Sequence, residues 1–562
     1  MGRIIAGVFA AAFIAAPCWG QADDGFAEQA SEMLGSIYTE QTPGAVVVVS
    51  RDGEVVFNEA FGMASLELNV PMAPDHILRL ASVTKQYTAA AILALAEDGK
   101  LSLDDPLSKF LPDFPVGEVT VHQLLNHTSG IKSYTSIEGY MSSERIRKDL
   151  TTDELVAVFA DEPVDFSPGE QWSYNNSGYV LLGAIIEQVT DKPWNEFIRE
   201  RLLEPLEIES TDAYADATVL PGRVPGYAGP ADEPQNAGFL SMTQPHAAGS
   251  LMSTAIDVDR WQRALHGGRV LSDAMYERMI APDSVSREAY GGHDYGYGLL
   301  LTEWMGQPAI YHGGGINGFM TMTFWLPEPQ LSIILLTNRA GPGHSNQDIT
   351  LRLAGLAMDK SYPGELPELE LSDEALKAFQ GTYRIDEETV RTLRFEDGKL
   401  ISQRQGGSEL RVIPVEGDRL VFTESISWFT VERDDSGAIV ALILHQGWGG
   451  DGERAERVSD EVWERESTEV SAEQLDRLTG RYEIQPGFVL TVRVVDGGMQ
   501  IQATGQPPFT MQAESPVKFY NSQIGADIVF DLPETGPASG LTLYQGGQEL
   551  PAPRINDEVD SE

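Results

Sequence analysis

Ser82-Val83-Thr84-Lys85-Gln86-Tyr87-Thr88-Ala89-Ala90-Ala91-Ile92-Leu93 is the stretch on which the reading of this chain turns. From Thr84 onward it is apolar enough to predict a buried helix. Residues three apart lie nearly one turn apart, so Lys85 returns to the face of Ser82. A serine at a helix start sits where unpaired backbone N–H groups and the dipole favour developing negative charge. A buried lysine amine loses its proton easily and serves as a base. The plainer alternative stands beside it: Ser82 as an N-cap and Lys85 as a surface charge. The spacing itself is not selective, because three of the ten lysines follow a serine at that distance: Ser82/Lys85, Ser129/Lys132 and Ser515/Lys518. Gly130 follows Ser129, and Pro516 follows Ser515 in a strand-like run, so only Ser82 opens a helix.

Around this stretch, residues from about 30 to 360 mix helical and strand signals. Gly44–Ser50 is a β-branched run, Arg51-Asp52-Gly53 a turn and Glu54–Phe61 a second strand. Phe319–Leu326, the Pro327–Gln330 turn and Leu331–Asn338 form another hairpin, and helical patterns such as Thr84–Glu97 and Gly178–Val189 lie between. Strands at both ends with helices between predict one α/β (α+β) layer whose sheet is closed by both termini. From Leu371 the pattern changes to short strands and Gly/Asp turns. A repeat appears there: Ser372, Glu374, Leu376, Gly381 and Tyr383 recur 99 residues on as Ser471, Glu473, Leu475, Gly480 and Tyr482. Asp397-Gly398 returns as Asp496-Gly497, and Leu442, Leu444, Gln446 and Gly447 as Leu541, Leu543, Gln545 and Gly546. One offset over three separated blocks predicts two copies of a small all-β domain, over 371–460 and 470–556, after a catalytic domain over 23–362. Pro363–Glu370 and Asp460–Thr468 read as linkers, and the tail after Ile555 as loose.

The chain has 562 residues, and 39 Lys+Arg against 85 Asp+Glu leave a net charge of −46. Acidity of that order repels phosphate and excludes nucleic-acid binding through a basic surface. At the start, Arg3, the apolar run Ile4–Ala16 and Gly20-Gln21-Ala22 read as a secretory signal peptide over 1–22, with the mature chain exported to the periplasm or medium. The apolar run is too short to span a bilayer, so no stable membrane anchor is expected. The one cysteine, Cys18, falls within this segment. A mature chain without cysteine has no disulfide, no Cys-bound zinc and no thiol nucleophile.

Several catalytic signatures are missing: no Gly-x-Ser-x-Gly elbow, no His-Glu-x-x-His and no Walker A loop occur. Gly313, Gly315 and Gly318 spell Gly-x-Gly-x-x-Gly, but Thr321–Trp325 reads as strand where a dinucleotide site needs a helix. Two further constellations stand out. Of 18 tyrosines only Tyr174 has asparagine two residues on, in Trp172-Ser173-Tyr174-Asn175-Asn176, between the Pro168-Gly169 turn and an apolar helix. That placement suits a phenol presented to a cleft, and equally a turn tyrosine with Asn176 as a cap. Tyr311-His312-Gly313-Gly314-Gly315 leads into the second hairpin, where consecutive glycines permit close approach of a ligand or simply form a tight loop.

Taken in order, Ser-x-x-Lys, Tyr-x-Asn and His-Gly-Gly resemble the motifs of the serine penicillin-recognising enzymes. That family (peptidase family S12) includes class C β-lactamases, DD-carboxypeptidases, family VIII esterases and D-aminopeptidases. Leu125-Asn126-His127-Thr128-Ser129-Gly130, Tyr179-Val180-Leu181-Leu182-Gly183 and Ala248-Gly249-Ser250-Leu251-Met252-Ser253-Thr254 are similar to further landmarks of the family. The resemblance implies a β-lactamase/transpeptidase-like antiparallel sheet with helices. It implies Ser82 as acylated nucleophile, with Lys85 and Tyr174 sharing the proton transfers. It also implies Asn176 orienting Lys85 and substrate, and an oxyanion hole from the backbone N–H groups of Ser82 and Gly315. Acyl transfer of this kind uses no metal or cofactor. Where many members have Lys-Thr-Gly, this chain has His312-Gly313-Gly314. His312 and Gly314 are then expected to contact substrate without a fixed positive charge, which points away from efficient penicillin hydrolysis.

His-Gly-Gly followed by two small β domains looks most like the D-aminopeptidase architecture. In that architecture the added domains are antiparallel barrels, and a loop of the last one, here within Arg481–Ile555, limits substrate length. The expected substrates are small molecules or short peptides: D-amino-acid amides, peptides or esters. The competing readings are a carboxylesterase with weak β-lactamase activity, and a penicillin-binding carboxypeptidase or binder that acylates without turnover.

Overall fold

In the computed structural model, the described residues are 24–555, apart from 231–232, 342–344, 361, 363–365, 388, 424, 464, 466, 486–487, 496, 505, 507, 523 and 546–547. The signal segment 1–22 with Cys18, the tail beyond Ile555, and the repeat positions Asp496 and Gly546 lie outside them. The chain forms two compact units, Met1–Glu303 with Gln307–Lys360, and Trp304–Gly306 with Ser361–Glu562.

The first unit is built on a seven-stranded sheet. Its strands are β1 (Ala45–Arg51), β2 (Glu54–Phe61), β3 (Asp294–Tyr295), β4 (Leu300–Trp304), β5 (Gln307–Ile316), β6 (Phe319–Leu326) and β7 (Leu331–Thr337), in the order β2-β1-β7-β6-β5-β4-β3. The pairing of β1 with β7 joins the two ends of the segment and runs antiparallel from Ala45↔Thr337 to Ser50↔Ser332. All of β7 and all but the last residue of β1 are buried, which is why both read as continuous apolar runs rather than alternating ones. Five helices matter here: α1 (Asp24–Ile37), α2 (Thr84–Glu97), α3 (Asn176–Thr190), α4 (Ala255–His266) and α5 (Asn346–Ala357). α4 packs on β1 and β7, and α5 on β7 and β6, while α2 packs against α3. One polar tie crosses the α4 contact: the fully buried Asp259 accepts from Ser50 Oγ at 2.6 Å and from Arg263 Nε at 2.8 Å, so its charge is compensated.

Helix α2 is buried from Thr84 through Leu95, as its composition predicts. A fully exposed face is absent along those turns, so the helix gains from packing what a short isolated helix lacks. Its neighbour α3 begins at Asn176 rather than Gly178, and its cap is Asn175, whose side chain accepts from Gly178 N at 2.9 Å. Asn176, a candidate cap in the sequence, is thereby left for another partner.

The second unit holds two closed eight-stranded barrels, the first from Gly381 to Ser459 and the second from Gly480 to Ile555. The repeated residues do the same work in each. Ser372 and Ser471 cap short helices, Asp373–Lys377 and Ala472–Leu478, by accepting from Ala375 N and Gln474 N. Tyr383 Oη donates to Phe379 O and Tyr482 Oη to Leu478 O, both at 2.7 Å. Gly381 and Gly480 open the first strands at φ 155° and 152°. A Cβ there would lie 2.4 Å from Ser459 O in one barrel and 2.8 Å from the Arg554 guanidinium in the other.

Candidate active site

Ser82 lies in a 3₁₀ turn, Ala81–Val83, that runs directly into α2. Ala81 has φ 49°, a left-handed conformation costly for a residue with a Cβ. The turn is held by its surroundings: Leu80 N donates to Leu251 O at 2.8 Å, and Thr321 Oγ1 donates to Leu80 O at 2.9 Å. Strand β5 passes so close that a Cβ on Gly314 would lie 2.4 Å from Leu80 O and 2.3 Å from Thr321 Oγ1. Only glycine fits at 314, which places the backbone of Gly313–Gly315 against the turn that carries Ser82.

Lys85 is fully buried. Its Nζ meets three oxygens: Asn176 Oδ1 at 2.8 Å, Ala248 O at 2.9 Å and Ser82 Oγ at 3.3 Å. It also lies 4.7 Å from the centre of the Tyr174 ring and 5.4 Å from that of Tyr179. All three oxygens are neutral, and burial without a carboxylate partner holds the amine well below its ordinary value. Two of the acceptors are carbonyls, which can only accept. A neutral amine therefore spends its two N–H bonds on Asn176 and Ala248 and turns its lone pair toward the hydroxyl of Ser82. The sequence alternative of a surface charge does not hold.

Tyr174 is half-buried, and its phenol is pushed up by burial while a hydrogen bond with Ser82 pulls the other way. Asn176, the first residue of α3, is oriented by Nδ2 donating to Thr135 Oγ1 at 3.1 Å. His312 on β5 is 3 % exposed, and burial lowers its imidazole to about 3. It lines the site as a neutral ring. Ser82, Tyr174, His312, Gly313, Gly314 and Gly315 share the wall of one cavity of about 480 Å³. The other two Ser-x-x-Lys pairs are spent elsewhere: Lys132 pairs with Asp165 at 2.8 Å, and Ser515 Oγ accepts from Lys518 N at 3.0 Å.

Residues that the sequence did not single out complete the site. Arg339, Asn346 and Tyr290 line the same cavity, beside Tyr311 of the His-Gly-Gly stretch. Gly298 has φ 69° and packs so tightly on α2 that a Cβ would lie 2.8 Å from Lys85 C and O. The glycine-spaced run Tyr295-Gly296-Tyr297-Gly298 was the available signal for this contact. Among the described residues no group of histidine, aspartate and glutamate is arranged to hold a metal ion, and no helix is long and apolar enough to cross a membrane.

A serine at the mouth of a buried helix, a buried lysine facing it with its amine lowered by burial, and a tyrosine and an asparagine closing the ring define a serine hydrolase. The chain belongs to the Beta-lactamase family, whose model matches residues 24–357. A domain of unknown function, DUF3471, matches residues 464–558. Penicillin-binding protein 4* of Bacillus subtilis is 25% identical over 426 residues, covering 71% of this chain and 92% of that protein. A D-aminopeptidase of Gluconobacter oxydans is 24% identical over 457 residues, covering 79% of this chain and 80% of that protein. The crystal structure of D-amino acid amidase from Ochrobactrum anthropi SV3 with D-phenylalanine matches at TM-score 0.52 and 26% identity, covering 59% of this chain and 98% of that one.

Proposed function

We propose that this chain hydrolyses amide bonds of D-amino-acid amides or short peptides through an acyl-enzyme on Ser82. The observation that carries this reading is the buried Lys85, whose Nζ is held by the carbonyl oxygens of Asn176 and Ala248 and lies 3.3 Å from Ser82 Oγ. Lys85 takes the Ser82 proton as Oγ attacks the substrate carbonyl, forming the C–O bond of a tetrahedral intermediate. The oxyanion is received by the backbone N–H groups of Ser82 and Gly315. Collapse breaks the C–N bond, and the proton returns through Lys85 and the Tyr174 phenol to the leaving amine. Water then cleaves the ester by the same groups in reverse. The neutral His312 and the D-amino-specific names of two relatives support an amide substrate that brings no carboxylate to position 312.

Arg339 favours a second reading. It is the charged residue on the described cavity wall, and a guanidinium there suits a substrate with a free carboxylate, as in a carboxypeptidase. D-alanine p-nitroanilide, a chromogenic acetate ester, nitrocefin and a peptide ending in D-Ala-D-Ala, each assayed with the parent and Ser82→Ala, separate the readings. Anilide turnover lost in Ser82→Ala is expected. Release of D-alanine from the peptide, lost in Arg339→Gln, would instead establish the carboxypeptidase reading. Equal rates for Ser82→Ala and parent would end the mechanism. Export after removal of residues 1–22, and independent barrel domains over 371–460 and 470–556, belong to the same proposal. N-terminal sequencing of the mature protein and limited proteolysis test them.

A further inference from the structure

A second chain of polar contacts runs through the wall behind Ser82. Asn175 N donates to His127 Nδ1 at 3.2 Å, and His127 Nε2 meets Tyr295 Oη at 3.0 Å. Tyr295 Oη meets His312 Nε2 at 3.2 Å, and His312 Nδ1 meets Gly313 O at 2.6 Å. Tyr295 is fully buried, and His127 and His312 are 1 % and 3 % exposed. The two ends of the chain fix every proton in it. A backbone amide only donates, so His127 Nδ1 is a lone pair and Nε2 carries the hydrogen. A carbonyl only accepts, so His312 Nδ1 carries the hydrogen and Nε2 is a lone pair. Tyr295 must then accept from His127 and donate to His312. The Tyr179 phenol, which neighbours Tyr295, is committed as a donor to Leu125 O at 2.8 Å, so it has no hydrogen to give Tyr295 in place of His127. Both rings are neutral, because burial lowers each.

The relay joins the two halves of the site. His127 anchors the amide between Tyr174 and Asn176, and His312 anchors the carbonyl of Gly313 at the start of the glycine strand. We propose that Tyr295 is a positioning residue, holding the Tyr174–Asn176 segment and the Gly313–Gly315 strand in register through His127 and His312. The proposal rests on the reading of Gly315 N–H as an oxyanion donor. It also explains what histidine does at 312 that lysine does not. An ammonium is a donor only, and it would face a Tyr295 hydroxyl that already accepts from His127 and needs an acceptor for its own hydrogen.

Tyr295→Phe keeps the ring and removes both relay bonds. A displacement of the oxyanion strand by a fraction of an ångström lowers kcat by about tenfold to a hundredfold with KM nearly unchanged. If that variant fails to fold, the pair at 312 carries the test. His312→Gln places an acceptor oxygen near the Nε2 position, whereas His312→Lys places a donor there. The Gln variant is expected to retain at least about ten times the kcat of the Lys variant, whereas a role in filling space predicts equal losses. Nitrogen-15 NMR of the parent near neutral pH should show His127 protonated at Nε2 and His312 at Nδ1. The opposite tautomer or an imidazolium at either ring, parent-like kcat in Tyr295→Phe, or equal rates for the two 312 variants would overturn the proposal. The tautomers are read equally well in Ser82→Ala. Failure of the nucleophile assignment therefore shows in turnover, and failure of the relay shows in the spectra.

Discussion

Lys85 in the first unit and Arg391 in the first barrel are both buried basic side chains, and neither makes a close ion pair among the described residues. Lys85 meets three neutral oxygens. Arg391 is 7 % exposed, donates to Ser402 Oγ at 3.1 Å and lies 5.2 Å from the centre of the Phe429 ring. Burial lowers both, but the starting points differ. Arg391 falls only to about 10, with the Glu453 charge holding it up, so it remains a cation at neutral pH. Lys85 starts lower and has no such support. On the proposed mechanism the same desolvation yields a base in one unit and leaves a structural charge in the other. Burial alone does not mark a functional cation; the difference lies in the side-chain chemistry and in what the lone pair would face.

The sharpest way to break this comparison is to replace each cation by methionine. Lys85→Met removes the group proposed to take the Ser82 proton, and kcat/KM should fall by about a thousandfold or more. Arg391→Met exchanges a buried charge for an apolar side chain of similar length. It should leave kcat/KM at the parent level and shift the melting temperature by about a few degrees in either direction. Steady-state kinetics and thermal melts on the two variants decide it. A large activity loss at 391, or parent-like activity at 85, would erase the distinction.

A smaller effect separates lysine from histidine as the titrating group. The proposed mechanism needs the neutral amine, so activity should be lost as pH falls through the lowered value of Lys85. The acid limb of kcat/KM should therefore lie well below the ordinary lysine value of 10.5. His312 is lowered to about 3 and contributes no limb near its ordinary 6.5. Burial raises the Tyr174 phenol, so no alkaline limb arises from it up to about pH 10. A profile measured on the chromogenic ester should keep its acid limb in Arg391→Met. In Tyr295→Phe, where the relay is cut but Lys85 is untouched, the height should fall and the limb should stay.

These contrasts also show how far the sequence could be read. The helix over Thr84–Glu97, the hairpin strands and the paired barrels announce themselves, because local period, turn residues and a constant offset encode them. The Ser82–Lys85–Tyr174–Asn176 cluster was legible as ordered motifs. The exchange of roles between Asn175 and Asn176 was not, since both are good caps and only the packing against α2 turns one toward Lys85. His127 and Tyr295 are 168 positions apart, and their contact depends on β3 ending the sheet beside the loop that carries His127. Neither residue has a spacing that signals the other. Arg339 follows a buried strand with no motif around it, so its place on the cavity wall comes from the topology alone.

The smallest expected effect tests whether polar burial in the barrels is purely structural. Tyr383 and Tyr482 occupy equivalent positions, and each donates at 2.7 Å to a carbonyl four residues back, Phe379 O and Leu478 O. Both rings are fully buried. Replacing either by phenylalanine keeps the ring and strands one carbonyl, a loss of about 1 kcal/mol. Arg457 lies 5.9 Å from the Tyr383 ring centre and Arg554 lies 5.7 Å from that of Tyr482, but Arg554 Nη1 also donates to Tyr482 Oη at 3.4 Å. Tyr482→Phe should therefore cost more in denaturant midpoint than Tyr383→Phe, and the two together should cost their sum, because separate cores do not share partners. Turnover should be untouched in both. A larger cost at Tyr383 would mean that the repeated tyrosines have diverged in role, and a fall in kcat would carry function into the barrels.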